Sequence, residues 1–201
     1  MPKLILVRHG ETEANRRKCF ADSDDIPLTD TGRRQACELA VRLAREYRPD
    51  LLFSSEFARA RETGEIIGGI LGLPSEIIPG IHERNFGFLK GKSYDVMGHA
   101  MLGDPLYDPG RHWLWTPPGG ESLDDVRRRV IAVLDEARIR HDEKEIVVVC
   151  HGAVIQAVCA HLTGEWNESY VPPNCGLVEV VYTREGWMRP VLADEWEGLR
   201  A

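Results

Sequence analysis

Four side chains in this sequence have the chemistry to hold and transfer an anionic group: Arg8, His9, Arg59 and His151. The two histidines stand in matching contexts, Val7-Arg8-His9-Gly10 and Val149-Cys150-His151-Gly152, each closing an aliphatic run. Guanidinium groups bind tetrahedral oxyanions bidentately, and an imidazole beside them can act as nucleophile or acid–base. The combination points to phosphoryl chemistry. The sequence has no P-loop pattern and no Cys-x5-Arg loop, which leaves an imidazole as the nucleophile. In-line attack by one histidine would form a phosphohistidine, with the arginines stabilising the equatorial oxygens. The departing alkoxide needs a proton, and Glu83, in a glycine-containing loop, is the best-placed carboxyl group. The histidines lack Asp or Cys neighbours at ligand spacing, so no metal site and no cofactor is expected.

The surrounding elements explain how these groups meet. Leu4-Ile5-Leu6-Val7 and Ile146-Val147-Val148-Val149 are unbroken aliphatic runs, the pattern of strands buried on both faces of a parallel sheet. Parallel strands bring their carboxyl ends to one edge, where ligands bind in open α/β sheets. Gly10 is expected to allow a sharp turn and leave room for a ligand. Leu51-Leu52-Phe53 reads as a third strand, followed by Ser54-Ser55 as a helix cap and by Arg59 in the first helical turn. A cation is disfavoured there unless an anion sits beside it. Further strands are expected over 76–78, 177–182 and 189–192. Helices are expected after Thr29, from Ser122, with Asp125 at capping-box spacing, and over 153–162. The alternation implies one domain over 1–201, a three-layer α/β/α sandwich with a mostly parallel central sheet. The stretch 92–118, with four prolines and Tyr94, Tyr107, Trp113 and Trp115, reads as an irregular, lid-like insertion.

The chain has 201 residues and a formal net charge of -7. That balance argues against nucleic acid or acidic membrane as a partner, and points to a small phosphorylated substrate held by a local cationic cluster. Five scattered cysteines, an opening that runs straight into a strand, and the lack of a membrane-length apolar run lead us to expect a soluble, cytoplasmic protein. Nothing in the sequence fixes its oligomeric state.

Taken in order, six segments resemble the histidine phosphatase superfamily, the phosphoglycerate mutase-like enzymes. Arg8-His9-Gly10-Glu11-Thr12 with Asn15 matches RHGET…N, and Leu28-Thr29-x-x-Gly32-x-x-Gln35-Ala36 matches LTxxGxxQA. Ser54-Ser55-x-x-x-Arg59-Ala60-x-x-Thr63 matches SSxxxRAxxT, and Glu83-x-x-Phe86-Gly87 with Gly91 matches the acid-bearing loop. Gly119-Gly120-Glu121-Ser122 and His151-Gly152 complete the set. The resemblance implies that His9 is phosphorylated and that Arg8, Arg59 and His151 hold the phosphoryl group. It further implies Asn15 and the Gly152 backbone as added donors, and Glu83 as the acid and then the base. It implies no metal requirement.

Within that family, Glu83-Arg84-Asn85-Phe86-Gly87 resembles the mutase sequence Glu-Arg-x-Tyr-Gly, but Phe86 lacks the hydroxyl. The Gly-Trp that follows Asn15 in mutases is missing here, and Arg111 is alone where mutase lids carry an arginine pair. A metal-independent phosphatase is the favoured reading, with a mutase and a catalytically silent phosphate-binding protein as alternatives. Arg16, Arg17 and Lys18, with Arg84, Lys90 and Lys92 and the Trp113–Trp115 segment, are candidates for the pocket rim. In that role Arg16 and Arg84 would bind a second anionic group on the substrate.

Overall fold

Strand β1 (Lys3–Arg8) lies at the centre because its side chains feed two cores at once. Leu4 and Leu6 face one core and Ile5 and Val7 the other, which is why the run shows no polar alternation. The computed structural model describes residues 2–183 and 186–192. It contains one six-stranded sheet. Its other strands are β2 (Leu51–Ser54), β3 (Ser75–Ile77), β4 (Glu145–Cys150), β5 (Leu177–Tyr182) and β6 (Trp187–Leu192). Their order is β3-β2-β4-β1-β5-β6. The β3, β2, β4 and β1 neighbours pair in parallel, and β5 and β6 close the sheet antiparallel.

The helices are α1 (Glu13–Arg16), α2 (Asp30–Glu46), α3 (Ala58–Leu71), α4 (Asp95–Leu102), α5 (Leu123–Arg140) and α6 (Gly152–Thr163). Leu39, Leu43 and Ile67 of α2 and α3 pack on one face of the sheet. Val126, Val130, Ile155 and Val158 of α5 and α6 pack on the other. Each fully buried aliphatic side chain of this kind contributes about 1.5–3 kcal/mol. The expected caps are present: Thr29 accepts from the Gly32 N–H, and Ser122 and Asp125 form a capping box.

The segment 92–118 is more regular than expected. It contains α4 and a 3₁₀ turn over Pro109–Leu114. Val96, Met97, Ala100 and Met101 form a helical stripe that packs on a separate small core of Phe20, Leu89 and Trp115. Gly98 and the surrounding prolines hide that stripe in the sequence. The Trp115 indole donates to Asp104 at 3.0 Å, so this tryptophan belongs to the interior of the cover rather than to a pocket rim.

Candidate active site

Strand register decides which side chains meet. Arg8 lies level with Cys150 and Ser54 with Val149, so His9, His151 and Ser55 all emerge one residue beyond their strands at the same edge. The two imidazoles meet edge to face, with ring centroids 5.2 Å apart. His9 Nδ1 lies 2.8 Å from the Gly10 carbonyl. A carbonyl only accepts, so Nδ1 carries the proton and Nε2 keeps its lone pair. Burial, reinforced by the Arg59 and Arg8 charges, holds the His9 pKa well below the ordinary histidine value. Burial, then Arg59, does the same to His151. Both rings are therefore neutral at neutral pH, the state a nitrogen nucleophile requires.

Two cations flank this pair. Arg59, in the first turn of α3, is 3% exposed and lies over the Phe57 ring at 5.0 Å. Arg8 donates through Nη1 to the Pro172 carbonyl at 2.7 Å. Burial lowers both guanidinium pKa values, and Glu83 opposes the shift in each. Among the described residues, two buried side-chain nitrogen or oxygen atoms have no hydrogen-bond partner, Arg8 Nε and His151 Nδ1. Both belong to this one cluster. Buried polar atoms are nearly always paired, so two orphans together mark a place built for an acceptor.

Glu83 enters from the loop after β3. Its Oε1 accepts from the Arg84 N–H at 2.8 Å and from Ala153 N–H, at the start of α6, at 3.3 Å. A Cβ placed on Gly152 would meet Val171 Cγ1 at 3.1 Å and lie at ordinary contact distance, 3.8 and 3.9 Å, from Arg8 Nε and Glu83 Oε2. The close approach of Val171 is what favours glycine here, at a position that borders both the cation and the carboxylate. Arg129 anchors this loop by donating to the Glu83 carbonyl at 3.2 Å and to Glu121.

A cleft of about 450 Å³ opens over these groups, lined at its inner end by Arg8, His9, Asn15, Arg59, Glu83 and Gly152. His151 is fully buried, meets His9 edge to face and keeps its Nδ1 unpartnered. Two expected rim residues do not serve as rim. The Arg16 side chain is 66% exposed and pairs with Glu13 on the outer face of α1, so it does not line the cleft. Arg84 does line it, but Nε donates to the Glu121 carbonyl at 2.7 Å and Nη2 to the Trp115 carbonyl at 3.0 Å. It ties the acid-bearing loop to the base of the cover instead of offering a free charge. Gly10 also differs from expectation. A Cβ there would meet the Gly32 carbonyl oxygen at 2.6 Å, so close packing against α2, not ligand access, requires the glycine.

Several contributors escaped the sequence reading. Ser55, expected as a helix cap, bonds His151 Nε2 at 2.9 Å. Thr63 accepts from the Gly10 N–H at 3.1 Å and so holds the turn after His9. Asn174 donates to both the His9 carbonyl and Asn15 Oδ1. The SSxxxRAxxT spacing carried Ser55 and Thr63, but a lone asparagine far along the chain gave no signal. Among the described residues no group of three or more His, Cys, Asp or Glu side chains could hold a metal ion, and no helix is long and apolar enough to cross a membrane.

Known proteins resemble this chain in sequence and in fold. A family model described as histidine phosphatase superfamily, branch 1, matches residues 4–194. A 2,3-bisphosphoglycerate-dependent phosphoglycerate mutase of Cytophaga hutchinsonii is 35% identical over 81% of this chain and 78% of its own. A metal-independent phosphoserine phosphatase of Arabidopsis thaliana is 30% identical over 80% of this chain and 68% of its own. The solved structure of a mycobacterial glucosyl-3-phosphoglycerate phosphatase, complexed with VO3, superposes with a TM-score of 0.78 at 27% identity, covering 98% of this chain and 99% of that one. With two strand-end histidines, two buried arginines and a facing carboxylate on this α/β/α sheet, the chain belongs to the histidine phosphatase superfamily.

Proposed function

We propose that this protein is a phosphatase that hydrolyses a small phosphate monoester, without a metal, through a phosphohistidine at His9. The observation that carries the reading is the His9 tautomer, set by the Gly10 carbonyl, inside a cluster whose Arg8 Nε and His151 Nδ1 lack partners. His9 Nε2 attacks phosphorus in line and the P–O bond to the alcohol breaks. Glu83 gives its proton to the departing oxygen, so the alcohol leaves neutral. Arg8, Arg59, Asn15 and His151 take up the charge on the non-bridging oxygens, where fixed donors in a water-poor site act most strongly. Glu83, now a carboxylate, takes a proton from water. The water oxygen attacks phosphorus, the P–N bond breaks, and inorganic phosphate leaves with His9 regenerated.

Support also comes from relatives with phosphatase names and, for the fold, from a phosphatase that binds VO3. Phosphoglycerate mutation is the second reading, favoured by the 35% identical relative of that name. The test uses chelator-treated protein with p-nitrophenyl phosphate, and separately 3-phosphoglycerate plus catalytic 2,3-bisphosphoglycerate. The expected result is release of inorganic phosphate in the presence of chelator. Interconversion of 2- and 3-phosphoglycerate that outpaces phosphate release would overturn the phosphatase reading in favour of the mutase.

A further inference from the structure

The inner end of the cleft is cationic, but the cleft does not end there. A second cavity, an outer lobe of about 630 Å³, adjoins it, and the two share Met97, Met101, His112 and Glu168 as walls. The outer lobe adds Leu102, Tyr107 and Trp166. Trp166 is held in place by stacking on Trp113, with centroids 6.1 Å apart and planes within 8°. That stack joins the cover to the segment after α6, so the lobe has a fixed floor.

No lysine or arginine lines this lobe, and its one carboxylate is Glu168. Beyond Arg8 and Arg59, the cleft's third arginine, Arg84, has Nε and Nη2 committed to backbone carbonyls. Arg16, the expected receptor for a second anionic group, pairs with Glu13 outside the cleft. Toward this lobe, a ligand seated with its phosphoryl group at His9 meets methionine, leucine and aromatic surface, with Glu168 among the walls that cleft and lobe share. Pockets of a few hundred Å³ or more with apolar walls and few polar groups take ligands of matching size and polarity. Methionine walls adapt to irregular apolar shapes.

We infer that the alcohol portion of the substrate is an extended apolar or aromatic group without a second anion. The outer lobe, through Met97, Met101 and Trp166, recognises that group. Glu168 disfavours dianionic and carboxylated phosphate esters. The inference rests on the reading that His9 receives the phosphoryl group, because that position sets which end of the ligand reaches the lobe.

Unbranched alkyl phosphates from ethyl to octyl test it, because their alcohols leave with nearly the same basicity. Each methylene that enters the lobe should raise kcat/KM by about two- to fourfold. Met101→Ser and Trp166→Ala should lower kcat/KM for octyl phosphate at least fivefold more than for ethyl phosphate. A flat dependence on chain length, with turnover of the whole series, overturns the lobe and leaves the phosphatase reading intact. A binding arm separates the two ideas. Octylphosphonate should bind at least tenfold more tightly than ethylphosphonate by calorimetry, and pentylphosphonate at least tenfold more tightly than 4-phosphonobutyrate. If those preferences appear while no ester is hydrolysed, the lobe stands and the phosphatase reading falls. If 4-phosphonobutyrate binds as tightly as pentylphosphonate or more so, the inference is overturned.

Discussion

The floor of the cleft and its cover are built by different physics. The floor is the carboxyl edge of β1, β2 and β4. His9, Ser55 and His151 are fixed there by strand register, and the two histidines touch across a parallel pair. Its polar atoms are buried, and its positions are enforced by two large cores on opposite faces of the sheet. The cover, residues 92–118 with Phe20 and Leu89, packs around a small core of its own. Its helix α4 has no buried residue, and Leu102 and Leu106 are 78% and 90% exposed. A rigid floor suits chemistry, which tolerates little misplacement. A separately packed cover can change its side chains without moving the floor, and the selectivity inferred above maps to it.

Substitutions can break or sharpen this division. The largest effect is expected at the centre of the floor. His9→Ala should cut turnover by about 10⁴-fold or more, and substrate labelled with ³²P should mark His9 in the parent protein. Label on His151 instead, or activity retained in His9→Ala, would mean that the nucleophile is wrongly assigned. Next is Glu83→Gln, which keeps an oxygen to accept from the Arg84 and Ala153 N–H groups but removes the proton. Alkyl phosphate hydrolysis should slow by about 10²–10⁴-fold, and aryl phosphates, with better leaving groups, should lose less. An equal loss for both kinds would make Glu83 a structural residue.

Acid stability distinguishes the two regions without an activity assay. His9 and His151 are neutral in the folded protein with pKa values lowered well below 6.5, whereas unfolded histidines titrate near 6.5. Below that pH the unfolded chain binds more protons than the folded one. The stabilising contribution is complete above about pH 6.5 and falls as pH drops from there toward about 5. Urea midpoints across that range should show the fall. His151→Gln should reduce the slope, while Trp115→Phe in the cover lowers stability and leaves the slope unchanged. A pH-independent midpoint would contradict the buried, neutral state of the floor.

The smallest effect is expected at two of the cations that the sequence offered as candidates for the rim. Arg16→Ala/Arg17→Ala should change kcat/KM by less than about twofold for every phosphate ester, because exposed charges at this distance are screened by water and salt. A selective loss with bisphosphorylated substrates would place these arginines on the cleft after all.

What the sequence determined by itself follows from local rules. Aliphatic runs without alternation announced β1 and β4. Capping residues marked the starts of α2 and α5, and strand ends in matching dipeptides placed Arg8, His9 and His151 at one edge. Those signals lie within a few consecutive residues, and the parallel-sheet geometry does the rest. Tertiary structure alone decided whether a cation was free or spent. Arg16 and Arg84 look alike in a sequence, yet one pairs with Glu13 in solvent and the other is buried against two carbonyls from 115 and 121. Likewise Ser55 could cap a helix or hold His151, and only the approach of a strand 96 positions away settles it. A hydrogen bond joins whatever atoms the fold brings within reach, and that distance is a property of packing that residue order does not record.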